Sequence, residues 1–243
     1  MTFLLVGSTF FALLLPVSGV MGSTSAAEFA ALCLLGYLIG SIPIGWLVVK
    51  SRDRRDLRAL GTGNVGTANI YRNIGGGPAV LVGPLQFAQG LVPVLIAHLA
   101  GAALPGQALV GLCALLGNGW PVWLKFNGGR GIAVSTGVVA ALDVRLLGLL
   151  LVFYLLGLLL RQIAMGVLLG FVVLPLADAA RLGGLLVVPL AVLLVLILLR
   201  RLEGIAADAR LYGDLPALAA RRLLLDQRPG RPLVGPRADL PSH

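Results

Sequence analysis

Charge is scarce in this chain. Asp, Glu, Lys and Arg together make up 12% of its 243 residues, where soluble domains carry roughly a quarter. That shortage excludes a water-exposed globular surface. Histidine and cysteine are nearly missing as well. His98 and both cysteines, Cys33 and Cys113, lie in apolar runs, and His243 is terminal. A histidine- or cysteine-based metal centre and a disulfide framework are therefore not expected, and the cysteines read as small buried hydrophobes. We expect no metal and no cofactor. Acidic residues number 10 against 19 basic ones, for a net charge of +9. The positive charges sit at the ends of apolar segments and in loops, not on a soluble basic face. That pattern excludes a nucleic-acid partner and points to membrane orientation and anionic ligands.

What the chain has in abundance is apolar length. Its hydrophobic fraction is 58% and its mean hydropathy +0.97. A membrane-crossing helix needs about 20 mostly apolar residues, fewer when neighbours shield its ends. Candidate spans are Phe3–Val20, Ala30–Val49, Pro78–Ala100, Ala108–Leu124, Ile132–Leu142, Leu146–Leu160, Ala164–Leu176 and Leu185–Leu199. Ile132–Leu142 is too short to cross alone, so it either continues through Asp143 or sits inside the bundle. The fold expected is all-α: a polytopic integral membrane bundle of seven transmembrane helices, with a possible extra N-terminal hydrophobic helix. With no Lys or Arg before its apolar stretch, this segment makes a poor signal peptide, and Met21–Glu28 would make a reasonable start. Residues 1–20 are therefore either that extra anchor or a mis-assigned start. Residues 21–204 form the membrane domain. Residues 205–243 form a basic tail, in which Leu215–Asp226 suits an amphipathic surface helix and the proline-rich stretch Arg228–His243 reads as disordered.

Basic residues set the orientation. Lys50, Arg52, Arg54, Arg55, Arg58, Arg72, Lys125, Arg130, Arg161 and the tail arginines from Arg200 fall on one side if Ala30–Val49 runs from outside to inside. Only Arg145 and Arg181 fall on the other. The positive-inside rule makes the first side cytoplasmic, with both polar loops and the C-terminus on it.

Two loops carry the chemistry: Gly61-Thr-Gly-Asn-Val-Gly-Thr-Ala-Asn-Ile-Tyr-Arg72 and Lys125-Phe-Asn-Gly-Gly-Arg-Gly131. Each joins glycines, expected to expose backbone N–H groups, with side-chain donors and an arginine. Converging donors plus a positive charge are what a phosphate requires. A helix opening near Asn69–Arg72 would add further N–H donors. Ser41-Ile-Pro43, inside Ala30–Val49, predicts a kink, and a plain helix distortion suffices to explain it.

These residues resemble a known family. Gly40-Ser-Ile-Pro43, Asp56-Leu-Arg58, the first loop through Arg72, and Gly117-Asn-Gly-Trp-Pro-Val-Trp-Leu-Lys-Phe-Asn-Gly-Gly-Arg-Gly-Ile-Ala133 look like the bacterial acyl-phosphate:glycerol-3-phosphate acyltransferases, from about residue 30 to about residue 205. The resemblance implies a seven-helix membrane enzyme of the bacterial inner membrane. Such an enzyme moves an acyl chain from acyl phosphate to the 1-hydroxyl of glycerol 3-phosphate, giving lysophosphatidic acid without metal or coenzyme A. Its partners would be those two substrates and the lipid bilayer. On this resemblance Thr62 stands at a phosphate-binding serine, Arg72 at a phosphate-binding arginine and Arg130 at the lysine of a Gly-Gly-Lys-Gly loop; these three would be catalytic. Gly63, Asn64, Gly66, Asn69, Asn118, Asn127, Gly128 and Gly129 would bind substrate. The chain departs from the family pattern at Asn118 (usually histidine), Asn127 (lysine), Ala68 (threonine), Ala164 (serine), and Gln86 and Gln89 (an Asp-x-x-Lys pair). Two alternatives share the same residues: a non-catalytic lipid- or anion-binding relative, and an acyltransferase with another acceptor.

Overall fold

The structure, a computed structural model, describes residues 17–181, 183–212 and 214–225. In chain order its helices are α1 (Val17–Met21), α2 (Ala26–Ser41), α3 (Ile44–Asp53), α4 (Thr67–Asn73), α5 (Gly76–Leu99), α6 (Leu104–Gly119), α7 (Ile132–Leu142), α8 (Val144–Leu159), α9 (Ile163–Arg181), α10 (Val187–Leu202), α11 (Ile205–Tyr212) and α12 (Leu215–Ala220). Short 3-10 turns lie at Leu57–Ala59 and Val122–Leu124, and a π turn at Arg221–Leu225. No strand occurs among the described residues. Residues 1–16 and the expected disordered stretch Arg228–His243 lie outside the description.

Among the described residues, Ala26–Asp53, Gly76–Leu99, Leu104–Leu124 and Ile163–Ala180 are long and apolar enough to cross a membrane. Outward faces such as Leu34, Leu38, Leu151, Leu155 and Leu159 are exposed, as lipid-facing leucines must be. The interior cluster joins α6, α7, α8, α9 and α10 through Leu115, Val138, Leu150, Phe171, Leu190 and Leu193. Helices meet closely where a glycine of one faces the backbone of the other. A Cβ on Gly90 of α5 would overlap the Val134 carbonyl of α7, and one on Gly137 of α7 would overlap the Phe87 carbonyl. Small residues of this kind let helices pack by van der Waals contact where lipid offers no hydrophobic drive.

Two sequence expectations are resolved here. The helix beginning at Ala26 stops at Ser41 and resumes at Ile44, because Pro43 has no N–H to continue the ladder. The Gln89 amide on α5 donates to the carbonyls of Ile39 (2.7 Å), Gly40 (3.3 Å) and Ile42 (2.8 Å) around the break. The Ser41 hydroxyl donates to Leu38 O (2.8 Å) and accepts from Trp123 Nε1 (3.0 Å). α7 does not run through Asp143. It ends at Leu142, and the Asp143 side chain instead caps α8 by accepting from Arg145 N. Val134 through Val139 are all buried, so α7 lies inside the bundle.

The tail behaves differently from the surface helix expected of Leu215–Asp226. The helix ends at Ala220, and the following π turn packs against α9 and α10. Arg222 is only 1% exposed.

Candidate functional site

The first loop is organised by one asparagine. Asn69, on α4, accepts through Oδ1 from Thr62 N (3.1 Å), Thr62 Oγ1 (3.3 Å) and Asn73 Nδ2 (3.0 Å). Its Nδ2 donates to Leu60 O (3.1 Å) and Asn64 O (2.8 Å). Gly61 sits at φ +51° with Asn69 and Asn73 against its α-carbon, so a side chain there would be both strained and blocked. The loop is thus wound around a buried amide. α4 opens at Thr67, two residues before the sequence placed it.

The second loop folds back on the end of α6. Lys125 and Phe126 both take the left-handed conformation (φ 53° and 63°), which costs roughly 1–2 kcal/mol each for non-glycine residues. The turn lets Gly128 N reach Gly119 O (3.1 Å) and Gly129 N reach Asn118 O (2.8 Å). This corrects the expectation of a backbone cradle. Gly63 N–H goes to Leu60 O, Gly66 N–H to Asn64 Oδ1, and the Gly128 and Gly129 N–H groups to α6. Those four donors are spent inside the protein and are not offered to an anion. The loops are tied together by Asn64 Oδ1, which accepts from Arg130 N (3.2 Å) as well as from Gly66 N.

Two cavities open around these loops. One, of ≈ 540 Å³, is polar: Thr62, Gly63, Asn64, Asn127 and Gly128 line it together with Arg58, Arg130, Arg200, Arg201 and Arg222. The other, of ≈ 690 Å³, is largely apolar and runs past Ala79, Val80, Phe87, Ile132, Val134, Ile163 and Val167. Gly66, Arg72, Asn118 and Gln86 supply its polar edge. Asn64, Arg130 and Arg201 line both. The expected site residues therefore divide. Thr62, Gly63, Asn127 and Gly128 face the polar cavity, Gly66, Arg72 and Asn118 the apolar one, and Arg130 and Asn64 stand between. Asn69 and Gly129 line neither; the first shapes its loop and the second packs against the Asn118 amide.

Arg130 is 7% exposed, whereas Arg72 is exposed on the rim. Sequence reasoning missed three arginines. Arg200 donates to Gly129 O (3.0 Å) and Gly128 O (2.8 Å), stacks over Trp120 with its carbon 5.2 Å from the ring centroid, and pairs with Glu203. It clamps the second loop from α10. Arg201 and Arg222 complete the wall. In the sequence Arg58 marks orientation and belongs to the Asp56-Leu-Arg58 motif. It grips Asp56 (2.7 Å), which also accepts from Trp46 Nε1. The Arg58 guanidinium holds the Asp56 carboxyl down at about 2, so Asp56 is a poor proton acceptor near neutrality.

Among the described residues, no histidine or cysteine lines either cavity. The carboxylates of the polar cavity, Asp56 and Glu203, are both engaged by arginine. Gln86 accepts from Thr67 Oγ1 (3.0 Å) and donates to Val65 O (3.3 Å). Gln86 and Gln89 thus hold neighbouring backbone as neutral groups where the family pattern has a charged pair.

Residues 30–207 match the family described as glycerol-3-phosphate acyltransferase. A relative so named from Trichlorobacter lovleyi is 43% identical over 141 residues, 58% of this chain and 72% of that protein. One from Shouchella clausii is 43% identical over 114 residues, 46% of this chain and 56% of that protein. The chain thus spans about half the length of several curated relatives it matches, including 55% of that from Rubrobacter xylanophilus. In fold it is similar to PlsY (YgiH), an integral membrane glycerol 3-phosphate acyltransferase. The TM-score is 0.67 at 29% identity for the glycerol 3-phosphate form and 0.64 at 27% for the lysophosphatidic acid form, each covering 76% of this chain and 93% of that one. With the family pattern spanning both loops and the helices that carry them, this chain is a multi-pass membrane protein that belongs to the glycerol-3-phosphate acyltransferase family.

Proposed function

We propose that this protein transfers an acyl chain from acyl phosphate to the 1-hydroxyl of glycerol 3-phosphate, giving lysophosphatidic acid for phospholipid synthesis. The observation that carries this reading is the meeting of a polar and an apolar cavity at Asn64, Arg130 and Arg201. A small phosphate-bearing acceptor suits the first, and a donor with a fatty tail and a phosphate head suits both. The acceptor oxygen attacks the acyl carbon and forms the new ester bond. The carbon–oxygen bond to phosphate breaks, and the departing phosphate takes the hydroxyl proton. No protein nucleophile is required, in keeping with the lack of histidine and cysteine around the cavities among the described residues. The protein's contribution is to position two anions and stabilise developing charge. In this reading Arg130 and Arg72 grip and polarise phosphate and Thr62 donates its hydroxyl. Asn64 and Asn118 orient the acceptor, and Asn69 acts through loop shape. Residues 21–204 form the catalytic unit, with 205–243 appended. The basic loops face the cytoplasm from a bacterial inner membrane crossed seven times, as the arginine asymmetry supports.

Phosphate release from palmitoyl phosphate by purified protein, with and without glycerol 3-phosphate, tests this. Release that depends on the acceptor and yields lysophosphatidic acid is expected. Ligand binding without any release would overturn catalysis and leave a binding protein.

A further inference from the structure

Arg201 closes α10 in the wall shared by the two cavities, and it is 2% exposed. Three of its neighbours in the polar cavity have carboxylate partners: Arg58 has Asp56, Arg200 has Glu203 and Arg222 has Asp208. Arg201 has only neutral ones. It donates to Ala164 O on α9 (3.3 Å) and to Leu223 O in the π turn, and its Nε has no partner. A buried guanidinium with donors left over and no carboxylate partner is a costly arrangement for a protein by itself. An anion arriving through either cavity would relieve it, and the fork geometry matches phosphate.

Part of what holds Arg201 comes from beyond residue 207, where the family match ends. Arg222 donates to Leu202 O and Glu203 O and pairs with Asp208, which pins the tail across the end of α10. That brings the Leu223 carbonyl onto Arg201.

We infer that Arg201 is a phosphate-binding residue where the two cavities meet, fixed in place by the C-terminal segment 214–225. This rests on the acyl-transfer reading for the identity of the phosphate, which belongs either to the acyl donor or to the acceptor. It does not rest on that reading for the anion site itself.

The test uses full-length Arg201→Gln and Arg201→Lys. KM is measured separately for palmitoyl phosphate and for glycerol 3-phosphate, and the thermal midpoint with and without inorganic phosphate. Arg201→Gln should raise one KM by about tenfold or more, as loss of a charge-assisted phosphate contact does. The substrate affected identifies the source of the phosphate. Arg201→Lys should recover part of that loss. Inorganic phosphate should raise the midpoint of the wild type by clearly more than that of Arg201→Gln. Unchanged KM values in folded Arg201→Gln would overturn the inference while leaving acyl transfer standing. Where Arg201→Gln does not fold, Arg201→Lys decides: a severalfold rise in one KM upholds the site and wild-type values remove it. If the wild type itself shows no turnover, the acyl-transfer reading fails, and phosphate protection alone then judges Arg201. Protection reduced or lost in Arg201→Gln supports the site, and equal protection removes it.

Discussion

Arg130→Ala should nearly silence the enzyme without unfolding it. The side chain is 7% exposed and lines both cavities, so a phosphate beside it is screened far less than at a surface. At about 4 Å and an effective dielectric near 20, one unit charge contributes roughly 4 kcal/mol. Losing one aligned donor at a developing oxyanion costs about 2.7–4 kcal/mol in well-studied enzymes. The two figures agree, and they correspond to a loss of about 10²–10³ in kcat/KM. Arg58 and Arg200 should not compensate, since Arg58 is committed to Asp56 and Arg200 to Glu203 and the second loop. The loop should survive, because its tie to Asn64 runs through the Arg130 backbone N–H. Arg130→Lys keeps the charge and loses the fork, so a drop of about tenfold or less is expected. The assay is steady-state phosphate release with both substrates varied, beside a thermal melt in detergent. An Arg130→Ala variant that melts normally and turns over within threefold of wild type would refute the phosphate role.

Gly90→Ala would drive a methyl group into the Val134 carbonyl and part α5 from α7, at a cost of about 1–3 kcal/mol; a lowered thermal midpoint checks it, and an unchanged one contradicts the packing. Asn69→Ala strips the acceptor from Thr62 and the donor from Leu60 and Asn64, so KM for a phosphate substrate should rise severalfold although Asn69 lines no cavity. For Asp56 the sign follows from a folded pKa of about 2, below its ordinary 3.8. Its pairing with Arg58 stabilises above about pH 4 and is lost as pH falls towards 2. The pair is over a third exposed, so the contribution is under about 1 kcal/mol after screening. The midpoint difference between wild type and Asp56→Asn should be small at pH 7 and vanish near pH 2.

Much of the helical layout was legible because lipid imposes it. Apolar length and a proline located the break at Pro43, and glycines with asparagines marked both loops. What escaped is non-local. Arg200 and Arg201 end an apolar run, where arginine is expected for orientation alone, and nothing local says that Arg200 reaches residues 128 and 129. The amphipathic pattern of Leu215–Asp226 is the same for a helix lying on lipid as for a segment packed on α9 and α10. Only the fold distinguishes them. Glycine spacing likewise could not say whether N–H groups face a ligand or, as at Gly128 and Gly129, the end of their own helix.

Because the four N–H groups of Gly63, Gly66, Gly128 and Gly129 are turned inward, much of the grip on a ligand falls to replaceable parts. A nest of peptide groups is fixed by the path of the chain and changes only when that path does. A ring of long side chains drawn from the first loop, the second loop, α10 and the tail can be revised one codon at a time on an unaltered backbone. Exchanges such as threonine for serine at 62 and arginine for lysine at 130 then become small retunings of grip and reach, and such a scaffold can drift in selectivity while its architecture stands still.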